Sequence, residues 1–217
     1  ERLRAALENV GVPLVADPGQ TPAAGGVDPL ADAKRALDRG VKAYRELDLD
    51  TAIAALRSAE EKSPAAAASP GIAAVVAEAR VTLGLIALAQ GKAADAGDHF
   101  HRAAVLEPDR RLDGRDNPPE VVAAYETARR AVAKSPTCEL TLSSKSANAK
   151  TTVDGRPATG TVRLPYGVHF VQASTELGAA GERVELGQPR ALVSLGVSPD
   201  AGGLLVALRA AARRGDD

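Results

Sequence analysis

The spacing of apolar residues changes near Ser135-Pro136 and divides the chain into a helical part and a strand part. From Asp28 to about Pro136 apolar residues recur at intervals of three and four, as in amphipathic helices. Asp28 and Ser69 each stand before a Pro, which predicts an N-cap followed by proline in the first helical turn. Asn117-Pro118-Pro119-Glu120 has capping-box spacing and opens a helix with the stripe Val121, Ala124, Tyr125, Ala128 and Val132. Gly91 marks a helix end.

Beyond Pro136 the period falls to about two. Leu140 and Leu142 alternate with Thr141 and Ser143, and short strands follow at 161–164, 168–171, 183–186 and 191–195. Asp154-Gly155 reads as a tight hairpin turn and Pro165-Tyr166-Gly167 as a reversal between strands. Close spacing with glycine turns predicts a small antiparallel sandwich. Residues 1–10 read as a short helix, 12–15 as a short strand and 16–27 as a linker, and a helix resumes over about 203–214. The expected fold is α+β in two domains: 1–27 as N-terminal remnant and linker, 28–136 helical, 137–200 β, and 201–217 a C-terminal helix and tail.

Composition narrows the function classes. The chain has 217 residues with 27 Lys and Arg against 28 Asp and Glu, so no field of one sign points to nucleic acid or an anionic membrane. Aromatic residues make up 2%, leaving few platforms for stacking on bases or sugars. A single Cys excludes an internal disulfide and a multi-thiolate zinc site. No apolar run reaches the roughly 18 residues of a membrane helix.

No catalytic constellation is expected. His99 and His101 point to different sides of a helix, and Asp95 with His99 lacks a third ligand, so neither set makes a metal site. His169 lies on an alternating strand and reads as structural or exposed, and Cys138 as a small apolar residue. Asp113, Arg115 and Asp116 form a polar loop without calcium-loop spacing. Neither a nucleophile elbow nor a glycine-rich phosphate loop occurs. No cofactor, metal or catalytic residue is expected.

Internal repetition in the helical part carries a family resemblance. Thirty-four residues from Ala77 place Leu83, Gly84, Ala96, Phe100, Ala103 and Pro108 at the key positions of a tetratricopeptide repeat, which this stretch resembles. The same frame begun at Ala33 finds Gly40, Ala52, Leu56, Ala59 and Pro64, with Arg39 where Leu is usual. The frames lie forty-four residues apart, so about ten residues, roughly 65–74, are inserted between them. The 118–134 helix is then a capping element. In that family the inner helices line a concave surface, and the resemblance places Leu37, Val41, Tyr44, Leu85 and Leu88 there as partner-binding residues. The competing reading makes that stripe internal core beneath the N-terminal segment.

Residues 138–187 resemble a PEGA domain, a small β-module of bacterial surface proteins. Val153-Asp154-Gly155-Arg156-Pro157, Gly160-Thr161 and Leu164-Pro165-Tyr166-Gly167-Val168-His169-Phe170-Val171 match it. The tetrapeptide that names the family is Ser146-Ala147-Asn148-Ala149 here. Together the resemblances imply a non-catalytic scaffold or adaptor of the bacterial cell envelope that binds a protein partner. They imply no nucleic acid and no small-molecule substrate, and allow peripheral membrane or cell-wall association. A start at Glu1 with no Met in the chain fits an exported, periplasmic or envelope protein whose signal peptide has been removed. Two alternatives stand beside this: a cell-wall or glycan binder with Tyr166 or Phe170 exposed, and a sensory extension of a membrane-anchored protein such as a kinase.

Overall fold

The structure, a computed structural model, describes residues 28–197. The segments read at 1–27 and 203–214 lie outside those residues. Helix α1 (Pro29–Arg45) begins as the sequence predicts, with Asp28 Oδ1 accepting from the Leu30 amide at 3.0 Å and Pro29 opening the helix. Asp48 caps α2 (Leu49–Glu61) through the Thr51 amide. Helices α3 (Ile72–Ala89), α4 (Ala93–Leu106) and α5 (Pro119–Val132) follow.

Two expected caps are absent. Helix α3 starts after Gly71 at φ 92°, which leaves Ser69 outside the helix. Helix α5 starts after Pro118 without a side-chain cap, and the Asn117 amide donates back to the Asp113 carbonyl instead. Prolines at 118 and 119 already fix the entry, so the cap is dispensable there.

Helices α1–α4 form two hairpins whose parts correspond at the forty-four-residue offset. A Cβ on Gly40 would lie 2.6 Å from Leu56 Cγ, and one on Gly84 would strike the Phe100 ring. Ala52 and Ala96 are fully buried at matching sites, as are Ala59 and Ala103. The turns correspond too. Leu47 N–H donates to Tyr44 O and Asp48 N–H to Ala43 O, as Gly91 does to Leu88 and Lys92 to Ala87. Both helices therefore end in one left-handed cap. Gly91 adopts φ 72° without cost, whereas Leu47 holds φ 62° with its side chain 80% exposed. Helix α5 packs on α4, and Tyr125 meets Phe100 edge to face with centroids 5.6 Å apart.

One expectation about membranes needs correcting. Helix α3 is 18 residues long with mean hydropathy 1.9, long and apolar enough by those measures to span a bilayer. Its apolarity has a local cause. Two thirds of it is buried (67%), between α1, α2, α4 and the sheet, and its charged residues Glu78 and Arg80 pair with Arg110 and Glu60.

Strands β1 (Thr137–Ser144), β2 (Lys150–Val153), β3 (Arg156–Pro157), β4 (Thr161–Pro165), β5 (Gly167–Thr175), β6 (Gly178–Leu186) and β7 (Arg190–Leu195) form two sheets. Their orders are β4-β1-β7 and β3-β2-β5-β6. Between them lies a core that includes Cys138, Leu140 and Leu142 of β1, Val171 and Ala173 of β5, and Val193 of β7. The sandwich is not purely antiparallel, because β1 and β7 pair in parallel. After β6 the chain leaves its sheet and enters the other alongside β1 in the same direction. Pro165-Tyr166-Gly167 likewise joins strands of different sheets rather than a hairpin. Asp154 (φ 51°) and Gly155 (φ 78°) make the predicted tight turn. His169 is structural: Nδ1 lies 2.7 Å from Asp154 Oδ2 and Nε2 2.9 Å from the Pro165 carbonyl, while Asp154 Oδ1 accepts from the Phe170 amide.

The opposite face of β5 presents Val168, Phe170 and Gln172 to the helices. Phe170 is fully buried among Ile72, Val75, Val76 and Leu106, and Gln172 Nε2 donates to the carbonyls of Ala67 (2.9 Å) and Ser69 (2.8 Å). Gly181, opposite Gln172 on β6, lies so close to the Ala67 carbonyl that a Cβ there would overlap it. The insertion between hairpins is thus the seat of the sheet, and the helical and strand parts share one core cluster.

Two glycine substitutions in neighbouring helices should have opposite signs. Gly84→Ala overpacks the Phe100 crossing and should cost about 1–3 kcal/mol in urea unfolding. Gly97→Ala, inside α4 with nothing near its Cβ, should gain about 0.5–1 kcal/mol. Equal effects from the two would refute the close approach at Gly84.

Candidate functional site

The five predicted partner residues fall on α1 and α3. Val41 corresponds to Leu85 and Tyr44 to Leu88 at the hairpin offset, and all five, Leu37 included, are half-buried. Leu37 and Tyr44 rest on the α1–α3 core, and Leu85 and Leu88 on the cluster beneath α4 and α5. Helices α1 and α3 pack side by side, which sets Val41, Tyr44, Leu85 and Leu88 on adjacent elements. Of the two aromatics named for glycan stacking, Tyr166 or Phe170, Phe170 is fully buried.

A second place was not anticipated. A cleft of about 370 Å³ opens between α2–α4 and the outer face of β5–β6. Its position follows from strand register. Arg183 stands opposite Phe170 and Glu185 opposite Val168, so both share the helix-facing side of β6 with Gly181. The sheet touches the helices at Gly181, and the next two residues on that side line the gap. Helix α3 contributes Val76 and, one turn on, Arg80, while α4 contributes Arg102, Val105 and Leu106. Glu60, at the end of α2, and Tyr166, at the sheet crossing, close the sides.

The electrostatics of the cleft are one-sided. Arg80 Nε pairs with Glu60 Oε1 deep in the gap, and Arg80 Nη1 lies 3.1 Å from His99 Nδ1. A guanidinium has no acceptor, so His99 Nδ1 accepts and its proton sits on Nε2. Burial raises the Glu60 carboxyl above its ordinary value despite the attraction of Arg80, Arg102, Arg183 and Arg57. Burial lowers Arg80, and the repulsion of Arg102, Arg183 and Arg57 lowers it further, against the pull of Glu60. His99 is held down to about 4, first by burial and then by Arg80 and Arg102. Arg57, Arg102 and Arg183 make no ion pair or hydrogen bond among the described residues, whereas Arg110, Arg129, Arg156 and Arg163 each have a carboxylate.

Chemically the cleft offers hydrogen-bond donors and positive charge beside an apolar wall. Among the described residues no three His, Cys, Asp or Glu side chains group to hold a metal ion. Cys138 is buried in the sandwich core and does not line the cleft. No known family model, curated protein or solved structure matches the chain.

The neutral His99 has a measurable consequence. An unfolded-chain histidine titrates near 6.5 and the folded one near 4, so the unfolded state binds the extra proton between those values. Stability is full above about pH 6.5 and falls as pH drops toward 4. His99→Gln should flatten the decline of the urea midpoint between pH 7 and 4.5, and the wild-type His99 ring signal should titrate near 4. A midpoint near 6.5 would contradict the burial and arginine environment assigned to it.

Proposed function

We propose that the chain is a non-catalytic scaffold or adaptor of the bacterial cell envelope, built from tetratricopeptide-like helical hairpins and a PEGA-like β-module. The hairpin correspondence carries this reading: Gly40 with Leu56 and Gly84 with Phe100 repeat one small-on-large crossing at one offset, with one cap after each first helix. Such units bury their faces against neighbours and leave the side formed by their first helices for a partner. On that side Leu37, Val41, Tyr44, Leu85 and Leu88 supply apolar contact area. Binding is then burial of apolar surface with a polar rim.

The test is site-specific photocrosslinking in cells, with the probe at Val41 or Leu88 and at exposed Ala54 on α2 as a control. A discrete heteromeric adduct from the first two positions, lost in Tyr44→Glu/Leu85→Glu while the purified variant keeps its melting temperature, supports the reading. Collapse of the melting temperature in that variant would make the stripe core, and equal adducts from Ala54 would remove its specificity.

A further inference from the structure

The cleft between the helices and β6 shares no lining residue with the α1–α3 stripe, so its role stands apart from partner binding there. Three guanidiniums, Arg80, Arg102 and Arg183, line it together with two carboxylates, Glu60 and Glu185. Three positive against two negative charges leave the lining net positive, in a chain whose overall formal charge is −1. Two of these arginines, Arg102 and Arg183, make no side-chain ion pair or hydrogen bond among the described residues, and they come from α4 and β6, which meet only through the fold. Unpaired guanidiniums facing one gap repel one another, and a bound anion relieves that repulsion.

We propose that this cleft binds a phosphate monoester of a small organic molecule, with the phosphoryl group held by Arg102 and Arg183 and the organic part against Val105 and Tyr166. A phosphate monoester carries about −1.5 to −2 charge at pH 7 and so answers both unpaired guanidiniums, Arg102 and Arg183, where a monocarboxylate brings a single charge. The planar guanidinium fork suits phosphate oxygens, which accept two parallel N–H bonds. Val76, Val105, Leu106 and Val168 with the Tyr166 ring give the other half of the cleft an apolar surface, and its volume of about 370 Å³ suits a ligand larger than inorganic phosphate. Arg80 remains committed to Glu60 and His99, which keeps it in place as the positively charged floor.

Calorimetric titration of the full chain at constant ionic strength tests this with phenyl phosphate, inorganic phosphate and benzoate as probes. Phenyl phosphate should bind saturably, and more tightly than either of the others. Arg102→Gln and Arg183→Gln should each weaken it about tenfold or more, the effect of losing a charge-assisted hydrogen bond. Arg130→Gln, an exposed and unpaired arginine outside the cleft, should leave it unchanged. Four results would overturn the proposal: no saturable binding of phenyl phosphate, benzoate or inorganic phosphate binding as tightly, unchanged affinity in both cleft variants, or an equal loss in Arg130→Gln.

Discussion

From His169 to Ala173 strand β5 has no exposed side, and the rest of the architecture depends on that double burial. One face closes the sandwich with Val171 and Ala173, and the other sets Phe170 among α3 and α4. Burying a phenylalanine side chain contributes roughly 1.5–3 kcal/mol, so Phe170 is a large part of what holds sheet to helices. Gln172 adds direction. Both its amide hydrogens go to carbonyls of the 62–71 turn and its oxygen accepts from Thr152, so a buried amide is left with nothing unmade. Any shift in strand register would strand those groups, which fixes how the sheet sits.

That seating also creates the cleft. Contact is tightest where Gly181 meets Ala67, and the gap opens along the same side of β6, where Arg183 and Glu185 follow. Arg80, one turn beyond Val76 on α3, reaches into the gap because the residues before it are occupied by Phe170. The buried Glu60–Arg80 pair is a weak source of stability, since burial disfavours both charges. Its effect is to hold Arg80 in the cleft beside Arg102 and Arg183, which come from other elements.

Much of the helical part was legible in the sequence. Gly40 and Gly84, Ala52 and Ala96, and Ala59 and Ala103 recur at one spacing, and close helix crossings require small residues at such places. The Asp154-Gly155 turn was equally readable, because positive φ at both positions selects those residue types. Ser69 and Asn117 misled for a local reason: capping signals state what a side chain is able to do, and Gly71 and Pro118 had already set the helix starts. The inserted stretch at 65–74 was visible as an insertion, yet its use was not, because Ala66 and Ala67 are buried by a strand about a hundred residues later. The arginine cluster was hidden likewise. Arg80, Arg102 and Arg183 form no motif along the chain, and only register and packing bring them to one gap. Parallel pairing of β1 with β7 depends on which sheet the chain re-enters, which alternation alone does not state.

The most direct measurement of the account is native-state hydrogen exchange on the α3 and β5 amides in the wild type and in Gln172→Leu. If β5 joins the two parts into one cooperative unit, both sets of amides open with the same free energy, and the substitution lowers both by the same amount. Loss of protection in the strands alone, with α3 unchanged, would show that the helices and the sandwich unfold independently and would contradict the account.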